Sequence, residues 1–312
     1  MTNRKKWIKR SLWVLTSIFV LMNSMAIFHS YKLTHFADNT LKKTEHPTKL
    51  SIGQKIKTLF FGVSNPRPEI DCLPNQKYET IKLKSNKEIE CWSIESQKPK
   101  GTVIIFHGFG GDKSLMLDKS AIFLELGYNT FLVDFMGSGG SEGNQTTIGF
   151  LEAEQIKTCF NYLKNKGEKN ILLFGTSMGA VAIMKAIHDF DLKPKSIVLE
   201  CPFGSMYETV CARFKTMNAP TFPMAGLLVF WGGIQNGFWA FGHNPTEYAK
   251  KIKCPTLLFY GAKDEKVSLK EINTIFQNLK GKKKLRIYPN AGHENYFNDY
   301  KSEWRKDLLR FL

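Results

Sequence analysis

The 312-residue sequence is short of negative charge: 28 Asp and Glu stand against 44 Lys and Arg, a formal net charge of +16. An excess of this size invites a nucleic-acid partner. Yet the lysines are spread along the whole chain, and the tight runs are confined to the N-terminus and Lys282-Lys283-Lys284. No helix-turn-helix, zinc-finger or aromatic RNA-binding signature accompanies them, so no nucleic-acid partner is expected. A solvated basic surface, or attraction to anionic lipid headgroups, accounts for the charge. Metal-binding spacing is lacking as well. The six cysteines (Cys72, Cys91, Cys159, Cys201, Cys211 and Cys254) form no C-x-x-C pair and no metal spacing with histidine. Cys159 and Cys254 fall in core segments as small apolar residues. Cys72 with Cys91, or Cys201 with Cys211, could bridge in an oxidising compartment. The glycine-rich run Asp134–Gly143 lacks a third glycine at dinucleotide spacing, and the next helix begins several residues too late to receive a pyrophosphate. Disorder is excluded for most of the chain by a 43% hydrophobic content and 24 Phe. The length suits one α/β domain plus a tail.

The longest stretch without charge lies at the N-terminus. Arg4, Lys5, Lys6, Lys9 and Arg10 precede Ser11–Phe28, 18 residues without a charged side chain. A basic flank and an apolar run of this length predict an uncleaved transmembrane anchor over residues 1–28. Ser24-Met25-Ala26 resembles a small-x-small cleavage site and leaves a signal peptide as the alternative, which would make the domain secreted or periplasmic. The positive cluster predicts a cytoplasmic N-terminus and a single-pass protein whose main domain is extracytoplasmic. Residues 29–69 read as a polar tether. Within it Ile52, Ile56, Leu59 and Phe60 fall at helical spacing, suiting a membrane surface or a face of the domain.

From Tyr78 onward strand and helix signals alternate. Glu79–Lys84 and Glu88–Ile94 read as a hairpin. Thr102–Phe106, Asn129–Asp134, Asn170–Phe174, Ser196–Glu200, Pro255–Tyr260 and Leu285–Tyr288 follow, with amphipathic helical stretches between most of them. Apolar strands alternating with helices predict an α/β fold with a mostly parallel, eight-stranded sheet flanked by helices. The fifth strand runs straight into Gly175-Thr176-Ser177-Met178-Gly179. Such a G-x-S-x-G, with a strand before it and a helix after it, is a nucleophile elbow, whose two glycines let the chain turn sharply.

Residues 70–312 therefore resemble the α/β-hydrolase superfamily, in its serine-aminopeptidase-like and monoglyceride-lipase-like branch, including membrane-anchored members. The resemblance implies Ser177 as nucleophile, which needs an adjacent base and an oxyanion stabiliser. Of the seven histidines, His29, His35 and His46 belong to the anchor and tether, and His188 ends the elbow helix. His107 lies in the oxyanion loop, and His243 precedes the acid, against the family order. His293, in Ala291-Gly292-His293-Glu294 after the last strand, is the implied base. The acid implied by strand-G-x-x-D-x-x-V is Asp264, which orients the imidazole; Glu265 and Glu200 are the alternatives, Glu200 being read as a structural group beneath the site. His107-Gly108-Phe109-Gly110-Gly111 implies that the backbone N–H groups of Phe109 and Met178 form the oxyanion hole. The turn after the fourth strand departs from the family's D-x-R-G-x-G-x-S at Met136, where arginine is usual.

Residues 204–250 separate the sixth and seventh strands and imply a short cap. Its aromatics Phe230, Trp231, Phe238 and Trp239, with the ring of Phe109, are the expected substrate contacts. The expected protein is a membrane-anchored serine hydrolase that cleaves a small-molecule ester, such as a lipid or other acylated compound, through an acyl-enzyme. It would require no metal and no organic cofactor. Thioester, amide or peptide cleavage, acyl transfer, or an idle binding protein on the same fold are the rivals.

Overall fold

The computed structural model describes residues 3–38, 40–45, 50–293 and 296–312; His46 and Glu294, named above, lie outside them. Strands β1 (Tyr78–Lys84), β2 (Glu88–Ile94), β3 (Thr102–Phe106), β4 (Asn129–Val133), β5 (Ile171–Thr176), β6 (Ser196–Glu200), β7 (Thr256–Gly261) and β8 (Lys283–Tyr288) form one sheet in the order β1-β2-β4-β3-β5-β6-β7-β8. β1 and β2 pair antiparallel, as do β2 and β4, and every later pair is parallel. The eight strands and their mostly parallel arrangement are those expected from the sequence. β3 and β6 are buried at every position. They read as continuous apolar runs because parallel strands are covered on both faces.

The cover comes from helices on both sides. α4 (Glu152–Asn165), α5 (Met178–Phe190) and α9 (Leu269–Asn278) pack on one face with Ile156, Ile183 and Ile272. α3 (Leu117–Glu125) and α10 (Tyr296–Phe311) cover the other with Phe123, Trp304 and Leu308. The cap consists of α6 (Met206–Thr216), α7 (Met224–Gln235) and the single-turn α8 (Pro245–Tyr248).

The register aligns the strand ends that matter. Phe106 pairs with Gly175, Thr176 with Glu200, and Gly261 with Tyr288. The loops after β3, β5, β7 and β8 therefore emerge at one carboxyl edge, the usual location of ligand sites in open α/β sheets.

The N-terminal helix is longer than the uncharged run. α1 spans Asn3–Thr34, and by length and composition it can cross a membrane. Its first part exposes Leu12, Leu15 and Phe19. Its last part is bound to the cap. Asn23 Oδ1 accepts from Trp231 Nε1 at 2.9 Å, Ser30 donates to Gln235, Gln235 donates to the Ile27 carbonyl, and Asn236 donates to Thr34. Ala26, Ser30 and Thr34 are buried there. The helix thus continues past Phe28 because its polar residues find partners some 200 positions away in the chain. Beyond it, Thr34 and Phe36 bond to the backbone of Thr146 and Asn144, so the start of the tether lies against the loop before α4. α2 (Ile52–Phe61) opens with a Ser51–Gln54 capping box and buries no residue. Its C-terminal end meets α1, where the Leu59 carbonyl accepts from the His29 ring at 2.8 Å.

Candidate active site

Ser177 sits at the N-cap of α5 with φ 51° and ψ −110°, a left-handed conformation rare for a side-chain-bearing residue. The surroundings hold it there. Its N–H donates to the Glu200 carbonyl at 2.8 Å, and its own carbonyl accepts from Val181. A Cβ on Gly175 would lie 2.5 Å from the Gly179 carbonyl carbon, and one on Gly179 would lie 2.6 Å from the Phe106 carbonyl oxygen. Both glycines are therefore needed for the close approach of backbone to backbone, as much as for the turn.

Three loops converge on the serine. Ser177 Oγ lies 3.0 Å from His293 Nε2, and His293 Nδ1 lies 2.7 Å from Asp264 Oδ2. The other Asp264 oxygen accepts from the N–H groups of Lys266 and Val267 at 2.8 and 2.9 Å, which fixes the carboxylate plane. Burial opposes protonation of His293. The Cys201 sulfur and the Asp264 carboxylate outweigh it and raise the imidazole above the ordinary histidine range. Cys201, Asp264 and His293 also present their ligating atoms within 4.8 Å of one another, the one such metal-compatible group among the described residues. Both imidazole nitrogens already face Ser177 and Asp264, so the geometry is that of a proton-transfer chain.

The loop after β3 is pinned by His107. This buried ring bonds through Nδ1 to the Gly108 carbonyl at 2.8 Å, and its Nε2 accepts from the Phe135 N–H at 3.0 Å. Burial lowers its pKa, which suits the neutral tautomer that donates from Nδ1. Gly108 lies against Ser177: a Cβ there would be 3.6 Å from the serine Cβ. Phe109 follows, and Met178 is the first residue of α5, where a helical N–H has no intrahelical acceptor. Among the described residues neither amide donates to another backbone group.

Glu200, the alternative acid, is fully buried beneath the elbow. It accepts from Thr176 Oγ1 at 2.8 Å and from Trp304 Nε1 at 2.7 Å and does not face His293; burial raises its pKa. His243, set aside on chain order, is buried and donates to the Ile148 carbonyl at 3.0 Å, bracing a residue with φ 56°. Burial depresses its pKa to about 4, so it is neutral there. Neither cysteine pairing left open by the sequence forms: all six cysteines are free, Cys91 and Cys201 are buried, and Cys72 is exposed. Met136 is buried in the turn after β4, and the guanidinium that reaches this turn is Arg67, which donates to the Gly139 and Ser141 carbonyls. Nothing local to residue 67 in the sequence points to that role.

A narrow cavity lies between the cap, the end of α1 and the loop before α4, lined mainly by apolar groups including Leu33, Ile148, Leu228, Val229 and Phe238. Thr146, beside this lining, reaches the Met178 sulfur at 3.3 Å. Of the four cap aromatics expected to touch substrate, Phe238 alone lines the cavity. Phe230, Trp231 and Trp239 cluster at the cap surface near α1, with Phe230–Trp231 and Phe230–Trp239 ring centroids 5.2 and 6.4 Å apart. Arg213 also lines the cavity and places its guanidinium 5.3 Å from the Phe109 ring centroid. A lone arginine in an amphipathic helix carries no signal of that position.

Comparison with known proteins agrees with the fold. Residues 97–229 match the family model described as serine aminopeptidase, S33, and residues 242–308 match the model for PhoPQ-activated pathogenicity-related protein. The chain is 26% identical over 229 residues to an uncharacterized protein, YqkD, of Bacillus subtilis, covering 72% of this chain and 75% of that protein. It is 24% identical over 192 residues to the lysophosphatidylserine lipase ABHD12 of Danio rerio, covering 57% of this chain and 47% of the lipase. Among solved structures, the Pyrococcus furiosus esterase Pf2001 superposes with a TM-score of 0.65 at 22% identity, covering 79% of this chain and 97% of the esterase.

Proposed function

Taking the chain as a hydrolase of the α/β-hydrolase superfamily, we propose that it is a membrane-anchored serine hydrolase that cleaves a carboxylic ester through an acyl-enzyme. The carrying observation is the hydrogen-bonded chain Ser177 Oγ–His293 Nε2 and His293 Nδ1–Asp264 Oδ2, at 3.0 and 2.7 Å. In the proposed reaction His293 takes the Ser177 proton as Oγ attacks the ester carbonyl carbon. The Asp264 carboxylate stabilises the resulting imidazolium. The Phe109 and Met178 amides hold the oxyanion, each worth roughly 10²–10³ in rate. Collapse expels the alkoxide, which takes the proton from His293. Water then attacks the acyl-serine with His293 again as base, releasing the acid and restoring Ser177.

Two features support the membrane reading. The uncharged run Ser11–Phe28 of α1 makes about 27 Å of helix at 1.5 Å per residue, and Arg4, Lys5, Lys6, Lys9 and Arg10 precede it at the level of the headgroups. That length matches the ~30 Å hydrocarbon core of a bilayer. Around the point where α1 enters the domain, Phe60 and Phe61 of α2 and Phe230 and Trp239 of the cap are exposed, as aromatic residues at a lipid interface are. The basic flank orients the N-terminus to the cytoplasm and the catalytic domain outside. Ester cleavage is favoured over aminopeptidase action because Arg213, a fixed cation, stands over Phe109 where a substrate ammonium would need a carboxylate.

Detergent-solubilised protein should react with a fluorophosphonate probe and hydrolyse a p-nitrophenyl ester. Ser177→Ala should lose both; labelling that persists in the variant would sink the assignment.

A further inference from the structure

Three cations stand on the cap and on loops around the site, and among the described residues none forms an ion pair. The Arg213 guanidinium stacks on Phe109, 5.3 Å from the ring centroid, and is the single charged side chain in the lining of the cap cavity. Lys43 Nζ lies 3.7 Å from the position a Cβ would take on Gly110. Lys266, exposed on the loop that carries Asp264, completes the set. Its backbone N–H bonds to Asp264 Oδ1 at 2.8 Å, which sets Lys266 on the acid's side of the site; desolvation, Arg213 and Lys43 lower its pKa against the pull of Asp264. Burial likewise lowers the pKa of Arg213. Asp264, the nearby carboxylate, is taken by His293 and by two backbone N–H groups.

An unpaired guanidinium among apolar groups is costly unless a counter-charge arrives. Lys43 and Lys266 add positive potential around the same site, which an anion would offset. A guanidinium is also the side chain that best matches a phosphate or carboxylate with two parallel hydrogen bonds.

We propose that Arg213, Lys266 and Lys43 form an anion-recognition site at the mouth of the active site, and that the acyl substrate carries a phosphate or carboxylate group. This rests on the serine-hydrolase reading above. The acyl chain would enter the apolar cavity past Phe238, and the anionic group would remain at the wetter rim, where Lys266 and Lys43 are exposed. The same arrangement disfavours a substrate with a free α-ammonium.

Protection against fluorophosphonate labelling of the detergent-solubilised full chain tests this without requiring turnover of the natural substrate. 1-Oleoyl lysophosphatidic acid, 1-oleoylglycerol and inorganic phosphate serve as competitors. The anionic lipid should protect at a concentration at least about tenfold below that of the neutral one, the range expected of a hydrogen bond to a charged group. Arg213→Gln should remove most of that ratio, and Arg213→Lys, which keeps the charge without the fork, should retain part of it. If Arg213→Gln does not reach the wild-type labelling plateau, Lys266→Gln and Lys43→Gln should each reduce the ratio in the same direction. A wild-type ratio near one, or a ratio unmoved by the substitutions, overturns the proposal. Equal protection by inorganic phosphate would make this a free-phosphate site and overturn the acyl-substrate assignment. Wild-type protein that does not label at all would refute the hydrolase reading instead.

Discussion

Asp264→Asn isolates the electrostatic part of the proposed site from its geometry. Asp264 Oδ1 accepts two backbone N–H groups, from Lys266 and Val267, and Oδ2 faces His293 Nδ1 at 2.7 Å. In the Asp264→Asn variant the amide oxygen is held at the two N–H groups, and the NH₂ is turned toward the imidazole. The reverse flip would set donor against donor and forfeit two hydrogen bonds, a cost of roughly 1–3 kcal/mol for each group left unsatisfied. His293 must then accept at Nδ1 and carry its proton on Nε2, where it points at Ser177 Oγ. The serine can no longer hand over its proton, and the imidazolium loses its counter-charge. The same exchange in serine proteases lowers kcat by about 10⁴, or about 5.4 kcal/mol of barrier. Fold and solubility should be retained, because the loop's two backbone bonds survive. The assay is p-nitrophenyl ester turnover alongside a thermal melt and the rate of fluorophosphonate labelling. Activity within tenfold of wild type, in a protein that melts normally, would refute Asp264 as the orienting acid and direct attention to Glu265.

Three further outcomes follow from the same geometry. In the proposed mechanism His293 acts in its neutral form, and its surroundings raise its pKa, so activity should fall as pH drops through a midpoint above 6.5, measurable as the rising limb of kcat/KM against pH. Glu200→Leu leaves the Thr176 hydroxyl and the Trp304 indole N–H unpaired in the core and should destabilise by roughly 2–6 kcal/mol in a denaturant titration; an unchanged midpoint would contradict the buried network. Removing residues 1–22 should leave a folded domain, whereas removing residues 1–34 strips the cap of its bonds to Asn23, Ser30 and Thr34 and should lower the melting temperature by several degrees relative to the shorter deletion, since ~1 kcal/mol shifts a domain of this size by about 2–4 °C.

The sheet was legible because its strands are apolar runs with sharp ends, and parallel strands buried on both faces leave that pattern in any sequence. Ser177, Asp264 and His293 could be named because each follows a strand in a fixed order, and their distances of 3.0 and 2.7 Å show that the chain brings them together. What could not be read was partnership across distance. Nothing near Asn23 announces Trp231, and nothing near Arg67 announces the turn at Gly139. His107 and His243 have the same side chain as His293. Only burial and their bonds to Gly108, Phe135 and Ile148 show that they brace loops. The cap is aromatic-rich by composition, and composition does not distinguish the cavity side of the cap, where Phe238 lies, from its outer side.

The union of α1 with the cap replaces a leash with a mast. A flexible linker of twenty residues would let the domain roam over about 25 Å and tumble freely. A helix that enters the cap unbroken and is bonded there at Asn23, Ser30 and Thr34 permits neither. In the membrane-anchored reading the mouth of the site is held at one height and one heading above the bilayer. Reach then acts as a filter of its own: an ester is a substrate only if it is presented at that height, whatever its chemistry.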